Sequence, residues 1–229
     1  MVAIHRLANA LFSGSLKGHF GQWAEDVLIR KLFSKSKKDG IYLDIGAYHP
    51  FIHSNTAYFW MKGWRGFNID ANPNTIKLFE KYRPTDNNIW TAIVPSAEYE
   101  SGTKQVSLLM PSKADHASGV VAAGTVVQSV GNERGFSSTQ QVPATSIAAL
   151  IRDKGIGQVD YLNIDIEGYD EVILSELDFT LINPEVVSVE DYSENFVHLV
   201  DSNITLLMKQ RKYELVGRAG PTSIFIKQK

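Results

Sequence analysis

Short apolar runs that alternate with longer helical segments are the feature that most constrains the fold of this chain. Three of these runs, Ile41–Ile45, Arg65–Asp70 and residues 161–166, contain both β-branched and aromatic residues and carry an aspartate at or next to their end. A segment with helical periodicity follows each run. This alternation is typical of βαβ units, which build a mostly parallel sheet with helices on both faces.

Two further runs, at residues 88–94 and Val186–Glu190, extend the predicted parallel sheet. The last two predicted strands, at residues 213–217 and 223–227, are joined by a link that is too short for a helical crossover, so they must pair antiparallel. A parallel sheet that ends in an antiparallel hairpin predicts an α/β fold, the Rossmann-like architecture of class I methyltransferases. Helices are predicted at residues 2–12, 22–33, 73–82, 146–154, 169–177 and 195–211.

Residues 95–141 interrupt this regular pattern. They lack a long amphipathic period, hold much of the Gly, Ser and Thr, and contain two predicted hairpin strands at 105–110 and 125–130. Long insertions in compact domains commonly serve as lids or binding loops. We therefore expect a single domain over residues 41–229 with an insertion or lid at 95–141, and an N-terminal helical segment over residues 1–40 packed on that domain.

Composition excludes several classes of function. The chain has 23 basic and 25 acidic residues, so it lacks the positive field that attracts nucleic acids. Cysteine is absent, which excludes disulfides, thiolate zinc sites and a cysteine nucleophile. No apolar run is long enough for a membrane span, and the N-terminus does not have the pattern of a signal peptide. We expect a cytoplasmic protein with no nucleic-acid partner. The sequence allows both a monomer and a homo-oligomer.

Polar residues follow the first two predicted strands, at the sheet edge where ligands of open α/β sheets bind. Asp44 and Gly46 end the first strand, and Gly46 allows a close approach of the backbone to a ligand. Asp70 ends the second strand, where a carboxylate can accept hydrogen bonds from the ribose hydroxyls of an adenosine cofactor. Alternatively, Asp70 caps the helix that begins at Pro73. A dinucleotide site is disfavoured, because Tyr48 and Pro50 stand where a Gly-x-Gly-x-x-Gly turn needs bare backbone.

The acidic segment after the fourth strand is the second candidate site. Asp165 and Glu167 would project to the same side if the strand continued through them, and Glu190 ends the neighbouring strand. Such carboxylates suit acid/base catalysis or a divalent cation held by Asp165, Glu167 and Glu190. Alternatively, Glu167 and Asp170 stabilise the following helix, because negative charges near a helix N-terminus interact favourably with the helix dipole.

Histidines 49, 53, 116 and 198 are the candidate general bases near neutral pH. His116 is the favoured one, because it lies in the insertion that should cover a substrate. Its neighbour Asp115 could orient the imidazole.

These segments together resemble the FkbM-type methyltransferases, a group of S-adenosylmethionine-dependent O-methyltransferases. The resemblance rests on YLDIGAYHP at 42–50, SNT at 54–56, GWRGFNIDANP from Gly63, Tyr82-Arg83-Pro84, and YLNIDIEGYDEVIL from Tyr161. Gln22-Trp23-Ala24-Glu25-Asp26 is similar to the family's Gln-x-Gly-Glu/Gln-Asp segment, with Ala24 in place of the usual glycine.

The resemblance implies an S-adenosylmethionine site and assigns its parts. Asp44, Gly46 and Ala47 would line the methionine part, with Ser54 and Asn55 nearby, and Asp165 is a further candidate for cofactor binding. Asp70 would hold the ribose, Ala71 and Asn72 would flank the adenosine, and the backbone at Ala92 or Ile93 would contact adenine.

The expected activity is O-methylation of a hydroxyl on a small molecule or a sugar such as a glycan, glycolipid or natural product. Two routes for activating that hydroxyl stay open: a base, with His116, Asp165 or Glu167 as candidates, or Mg²⁺ or another divalent cation. The alternatives from other classes are a metal-dependent nucleotide-sugar transferase and a non-catalytic Rossmann-like binding module.

Overall fold

The structure is a computed structural model that describes residues 18–34, 36–111, 136–166 and 168–228. Its centre is a seven-stranded sheet with the spatial order β3-β2-β1-β7-β8-β10-β9. The strands in this order are Asn87–Trp90, Arg65–Asp70, Ile41–Ile45, Tyr161–Ile164, Val186–Glu190, Thr222–Lys227 and Tyr213–Ala219.

Strands β3, β2, β1, β7 and β8 run parallel, so their carboxyl ends meet at one edge of the sheet. Strands β9 and β10 form an antiparallel hairpin, and β10 pairs antiparallel with β8. The strand order reverses between β1 and β7. In open α/β sheets, such a reversal opens a crevice in which ligands bind.

Nine helices are described on and around this sheet. They are α1 (Glu25–Leu32), α2 (Ala57–Met61), α3 (Pro73–Tyr82), α4 (Ser96–Glu100), α5 (Ile147–Lys154), α6 (Asp170–Glu176), α7 (Phe179–Ile182), α8 (Phe196–Val200) and α9 (Asn203–Gln210). Of the helices in the described ranges, none has the length and apolarity that a bilayer crossing requires.

The two faces of the sheet bury different cores because successive strand residues point to opposite sides. Leu43 and Ile45 of β1 belong to a large aliphatic cluster, whereas Tyr42 belongs to an aromatic cluster with Phe59 and Trp64. Helix α1 supplies Ile29 to the aromatic cluster, and α5 supplies Leu150 to the aliphatic one. Helices therefore cover both faces, as the alternating pattern predicts.

A second, three-stranded sheet follows β3 in the chain. It has the order β4-β6-β5, with β4 at Ala92–Ile93, β6 at Phe136–Thr145 and β5 at Gln105–Pro111. Val106 of β5 and Val142 of β6 are buried in its small core. The predicted strand at 105–110 is confirmed, whereas the one at 125–130 lies outside the described residues, as does the helix at 2–12.

The predicted bounds of β1, β2, β8 and α3 are confirmed. The helix predicted at 22–33 begins only at Glu25, and the strand predicted at 213–217 continues to Ala219. Three other predictions need larger corrections. The strand at 88–94 is two strands, since β3 ends at Trp90 and β4 of the second sheet begins at Ala92. The strand at 161–166 ends at Ile164. The helix at 195–211 is broken into α8 and α9 because Ser202 caps a new helix by accepting a hydrogen bond from the Thr205 amide.

Candidate functional site

A cavity of about 320 Å³ opens at the carboxyl ends of β1, β2, β7 and β8, where the strand order reverses. This volume is within the range of small-molecule sites. The residues that line it include most of the predicted site: Asp44, Gly46, Ala47, Ser54, Asn55, Asp70, Ala71, Asn72, Ala92, Asp165 and Glu190.

Asp70 ends β2 at the cavity wall, and backbone amides hold its carboxylate. The Tyr48 amide donates to Oδ2 at 2.9 Å, and the Asn72 amide donates to Oδ1 at 2.7 Å. Burial raises the pKa of Asp70 to about 6, although both amides oppose the shift. Asn72, rather than Asp70, caps α3 through a 2.9 Å bond from the Asn74 amide. The carboxylate of Asp70 therefore faces a ligand-sized cavity with one acceptor position of each oxygen already filled.

Gly46 begins the turn after β1 with a φ of 83°. A Cβ at this position would lie 1.7 Å from the carbonyl oxygen of Asp165, so the close neighbour of Gly46 is the end of β7. The amides of Gly46 and Ala47 both donate to the Ile69 carbonyl, at 2.9 and 3.0 Å. The turn thus joins three strand ends and does not present these amides to a diphosphate.

Asp44 lies at the cavity floor, with only 2% of its surface exposed. Its Oδ2 accepts a bond from the Thr56 hydroxyl at 2.7 Å, and its Oδ1 accepts one from the Asn163 amide group at 2.9 Å. Burial raises the pKa of Asp44, while these two bonds and the charge of Arg83 act in the opposite direction. Both carboxylate oxygens therefore already bond to side chains that position the cavity floor.

Arg83 is a fully buried cation beside this network. Its guanidinium donates to the hydroxyls of Thr56 and Ser54, at 2.9 and 3.0 Å, and to the Pro50 carbonyl. Burial is the main cause that lowers its pKa. Three aromatic rings surround the guanidinium at 5.0 to 5.8 Å, those of Phe51, Trp60 and Phe79. Arg83 thus fixes the loop that carries Ser54 and Asn55 to the cavity.

The predicted cofactor residues Ser54 and Asn55 are both buried in the cavity wall. Asn55 donates through Nδ2 to Asn163 Oδ1 at 3.3 Å. Its own Oδ1 is buried and lacks a hydrogen-bond partner among the described atoms. Asn163 Oδ1 also accepts a 2.6 Å bond from Ser188. A polar wall of side-chain amides and hydroxyls therefore connects β1, β7 and β8.

The opposite wall is formed by the segments that follow β2 and β3. Ala71, Asn72 and Thr75 line it on one side, and Thr91, Ala92 and Ile93 line it on the other. Trp90 donates from its indole Nε1 to the Ala71 carbonyl at 2.9 Å, which links the two segments. Three of these residues, Ala71, Ala92 and Ile93, are apolar and offer a surface that suits a flat ring system such as adenine.

The structure places two of the three predicted acidic residues, Asp165 and Glu190, at the cavity. Asp165 and Glu190 line the cavity, and their carboxylates lie with that of Asp170 within 4.8 Å of one another. Because β7 ends at Ile164, Asp165 is not held in the predicted strand geometry, and Glu167 lies outside the described residues. Both oxygens of Asp170 accept backbone amides, those of Ile166 and Gly168, each at 3.0 Å.

The Asp191 carboxylate, beside Glu190, turns into the next loop. It accepts bonds from the Ser193 hydroxyl at 2.5 Å and the Ser202 hydroxyl at 2.7 Å. This residue therefore orders the chain between β8 and α9 and is not among those that line the cavity.

The candidate histidines separate into different roles. His49 accepts the Phe51 and Ile52 amides through Nδ1, both at 3.0 Å, and burial lowers its pKa, so it stabilises a turn. His198 is exposed on α8, 3.8 Å from Glu194. His53 lines the cavity, with its ring stacked on Tyr48 at 5.8 Å. The favoured residue, His116, lies outside the described residues.

The segment before α1 closes one side of the cavity. Buried Glu25 accepts the amides of Gln22 and Trp23, at 3.2 and 2.6 Å, and buried Asp26 accepts the Gly21 amide at 3.2 Å. Ala24, where the resembling family has glycine, is in the left-handed region with a φ of 63°. Gln22 and Trp23 consequently line the cavity.

Sequence reasoning missed Thr56, Arg83 and Asn163, and it gave Trp23 no role. Thr56 and Arg83 lie inside segments that carried the family resemblance, and this was the only signal for them. Asn163 is the polar residue in an otherwise apolar buried strand, a pattern that points to a functional or network role.

The comparison with known families agrees with this geometry. No curated protein matches the chain at a significant level. A family model described as the Methyltransferase FkbM domain matches residues 44–215, about three quarters of the chain. The matched region contains the ends of β1, β2, β7 and β8, and the Rossmann-like sheet is the fold expected for it. The chain therefore belongs to the FkbM methyltransferase family.

Proposed function

We propose that this methyltransferase transfers a methyl group from S-adenosylmethionine to a hydroxyl of a small molecule or a sugar. The observation that carries the proposal is the position of Asp70. Two amides orient its carboxylate at the end of β2, in the cavity where the strand order reverses. A carboxylate at this place can accept the two ribose hydroxyls of an adenosine cofactor.

The residues around Asp70 fit the rest of such a cofactor. The apolar wall at Ala71, Ala92 and Ile93 suits the adenine ring, and the polar wall at Asn55 and Asn163 suits an amino-acid moiety. When bound, the cofactor supplies an electrophilic methyl group on a positively charged sulfur. The cavity carboxylates favour this positive charge.

The acceptor oxygen must lose its proton as the new carbon–oxygen bond forms and the carbon–sulfur bond breaks. His116, in the proposed lid at 95–141, remains our predicted base, and Asp165 is the described candidate that lines the cavity. Asp165, Glu167 and Glu190 remain the candidate ligands for a divalent cation. A strict requirement for Mg²⁺ in transfer, removed by EDTA and restored by the metal, would favour the cation route over the base.

Calorimetric titration with S-adenosylhomocysteine tests the cofactor assignment directly. We expect micromolar binding to the unaltered protein and at least about a 30-fold loss of affinity in Asp70→Ala, because charged hydrogen bonds contribute about 1.5–3 kcal/mol each. Asp153→Ala is the matched control, since Asp153 is an exposed carboxylate on α5. It should bind like the unaltered protein.

Three outcomes of this titration would contradict the proposal. If the unaltered protein does not bind the cofactor but binds a nucleotide sugar with Mg²⁺, the nucleotide-sugar transferase replaces it. If nothing binds, the binding-module alternative replaces it. Equal affinities of Asp70→Ala and the unaltered protein would remove Asp70 from the site.

A further inference from the structure

The order of the strands also orders the two ends of the cavity. Asp70 marks the end at β2, whereas Glu190, Pro221 and Thr222 line the end at β8 and β10. Strands β1 and β7 lie between these ends. At about 4.8 Å per strand spacing, the ends of β2 and β8 are therefore roughly 14 Å apart. If the proposed cofactor occupies the Asp70 end, the second substrate must enter at the β8 and β10 end.

Trp23 forms a wall at this second end. Trp23 is among the residues that line the cavity, and 57% of its surface is exposed. The indole packs on the turn between β9 and β10, since a Cβ added at Gly220 would lie 2.4 Å from its Cδ1 atom. Its backbone amide donates to the buried carboxylate of Glu25 at 2.6 Å. Trp23 is thus a fixed indole with a large open surface beside the cavity.

The charges at this end are unfavourable for an anion. Asp165 and Glu190 line it, and Lys and Arg are absent from the described residues that line the cavity. The guanidinium of Arg218 lies nearby, but it donates to the carbonyls of Asp191, Ser193 and Gly220. An anionic group placed here would face carboxylates without a described cation directed toward it.

We propose that Trp23 and the turn at Gly220-Pro221 form the acceptor subsite, and that the acceptor is an uncharged, hydroxylated ring that lies against the Trp23 indole. This inference rests on the proposed methyltransferase function. A fixed, exposed indole offers a large apolar surface for a ring face. The neighbouring carboxylates can accept hydrogen bonds from the ring hydroxyls. They would repel an acceptor that carries a negative charge.

The test compares pairs of ring acceptors in which one member carries a carboxylate in place of an uncharged group. Tritium transfer from labelled S-adenosylmethionine is measured on methyl glucoside, galactoside and mannoside, on their uronic acid counterparts, and on 4-hydroxybenzamide with 4-hydroxybenzoate. At least one uncharged ring should accept the methyl group, with a kcat/KM at least about tenfold above that of its anionic counterpart. Trp23→Ala should then raise the acceptor KM about fivefold to tenfold, and Trp23→Phe should restore most of the loss.

Met61→Ala is the matched control, because Met61 is 60% exposed on α2 and does not line the cavity. S-adenosylhomocysteine affinity is measured in parallel and should be equal in all three variants. Preference for the anionic rings, no transfer to any uncharged ring, or an unchanged KM in Trp23→Ala would overturn the inference. If the unaltered protein binds the cofactor, such a result contradicts the acceptor inference alone. If the unaltered protein does not bind the cofactor, both the proposed function and the acceptor inference fail.

Discussion

Asp44 and Asp70 end adjacent parallel strands and are held in opposite ways. Asp44 is buried, and the side chains of Thr56 and Asn163 donate hydrogen bonds to its two carboxylate oxygens. Backbone amides bond to both oxygens of Asp70, which is only partly buried at the cavity wall. Both aspartates line the cavity, and the comparison shows that only Asp44 is also part of a buried network of side chains. In this pair, side chains around the cavity floor hold one carboxylate and the backbone holds the other.

The largest expected effect is on the free energy of unfolding, when each of the two carboxylates is removed in turn. Asp44→Ala leaves Thr56 and Asn163 without their acceptor and removes one of the two carboxylates, with that of Asp86, whose charge favours the buried cation Arg83. We expect its free energy of unfolding to fall by about 3–5 kcal/mol. Asp70→Ala should lower it by about 1 kcal/mol, because the released amides lie at a cavity that water can enter. Urea unfolding followed by circular dichroism measures both, and equal losses would refute the distinction.

A pair of threonines tests the same contrast one step further from the carboxylates. Thr56 donates to Asp44 and accepts from Arg83, whereas Thr75 donates at 2.9 Å to the carbonyl of Tyr48, whose amide holds Asp70. Thr56→Val should lower the free energy of unfolding by about 2–3 kcal/mol, and Thr75→Val by about 1 kcal/mol. Both hydroxyls are buried and the substitution is the same, so each variant is the control for the other. A larger loss in Thr75→Val would contradict the assignment.

The pH dependence of cofactor binding should follow Asp70. Its pKa of about 6 means that the free protein takes up a proton on Asp70 as the pH falls below this value. Ribose hydroxyls bind the ionised form better, so a proton must leave on binding and the affinity should fall at low pH. Between pH 7 and pH 5 we expect the Kd for S-adenosylhomocysteine to rise about tenfold. Calorimetry at several pH values measures this change.

Asp70→Asn provides the control for the pH profile. Its Kd should be weak and nearly constant over the same range, because the substituted group does not titrate. A profile with the slope of the unaltered protein would assign the titration to another cavity group.

The smallest effect is expected at Ala24, in a second segment where amides hold a buried carboxylate. Its left-handed backbone, with a φ of 63°, disfavours a residue with a Cβ by about 1–2 kcal/mol. Ala24→Gly relieves this strain but increases the freedom of the unfolded chain, so we expect a gain of about 0.5 kcal/mol in the free energy of unfolding. Ala149→Gly, inside α5, should instead lose about 1 kcal/mol. A loss in both variants would contradict the strain at Ala24.

Local chemistry explains why several elements could be predicted from the sequence. For example, β2 is a short run that ends at Asp70. Helix α3 begins directly after it, because Asn72 is a good capping residue and Pro73 suits the first helical position. By contrast, β3 and β4 form one apolar run in the sequence but pair with different strands, so only the tertiary structure separates them.

The sequence by itself determined the alternation of strands and helices, the antiparallel hairpin, and the acidic residues at the strand ends. These depend on periodicity and turn chemistry within a few residues. Only the tertiary structure decided that Asp44 belongs to a buried network of side chains, whereas backbone amides hold Asp70 at the cavity wall. The donors to Asp44 are 12 and 119 positions away, and Arg83 reaches the same network from the end of α3. Long-range packing brings such donors together, and a reading of local sequence cannot supply it.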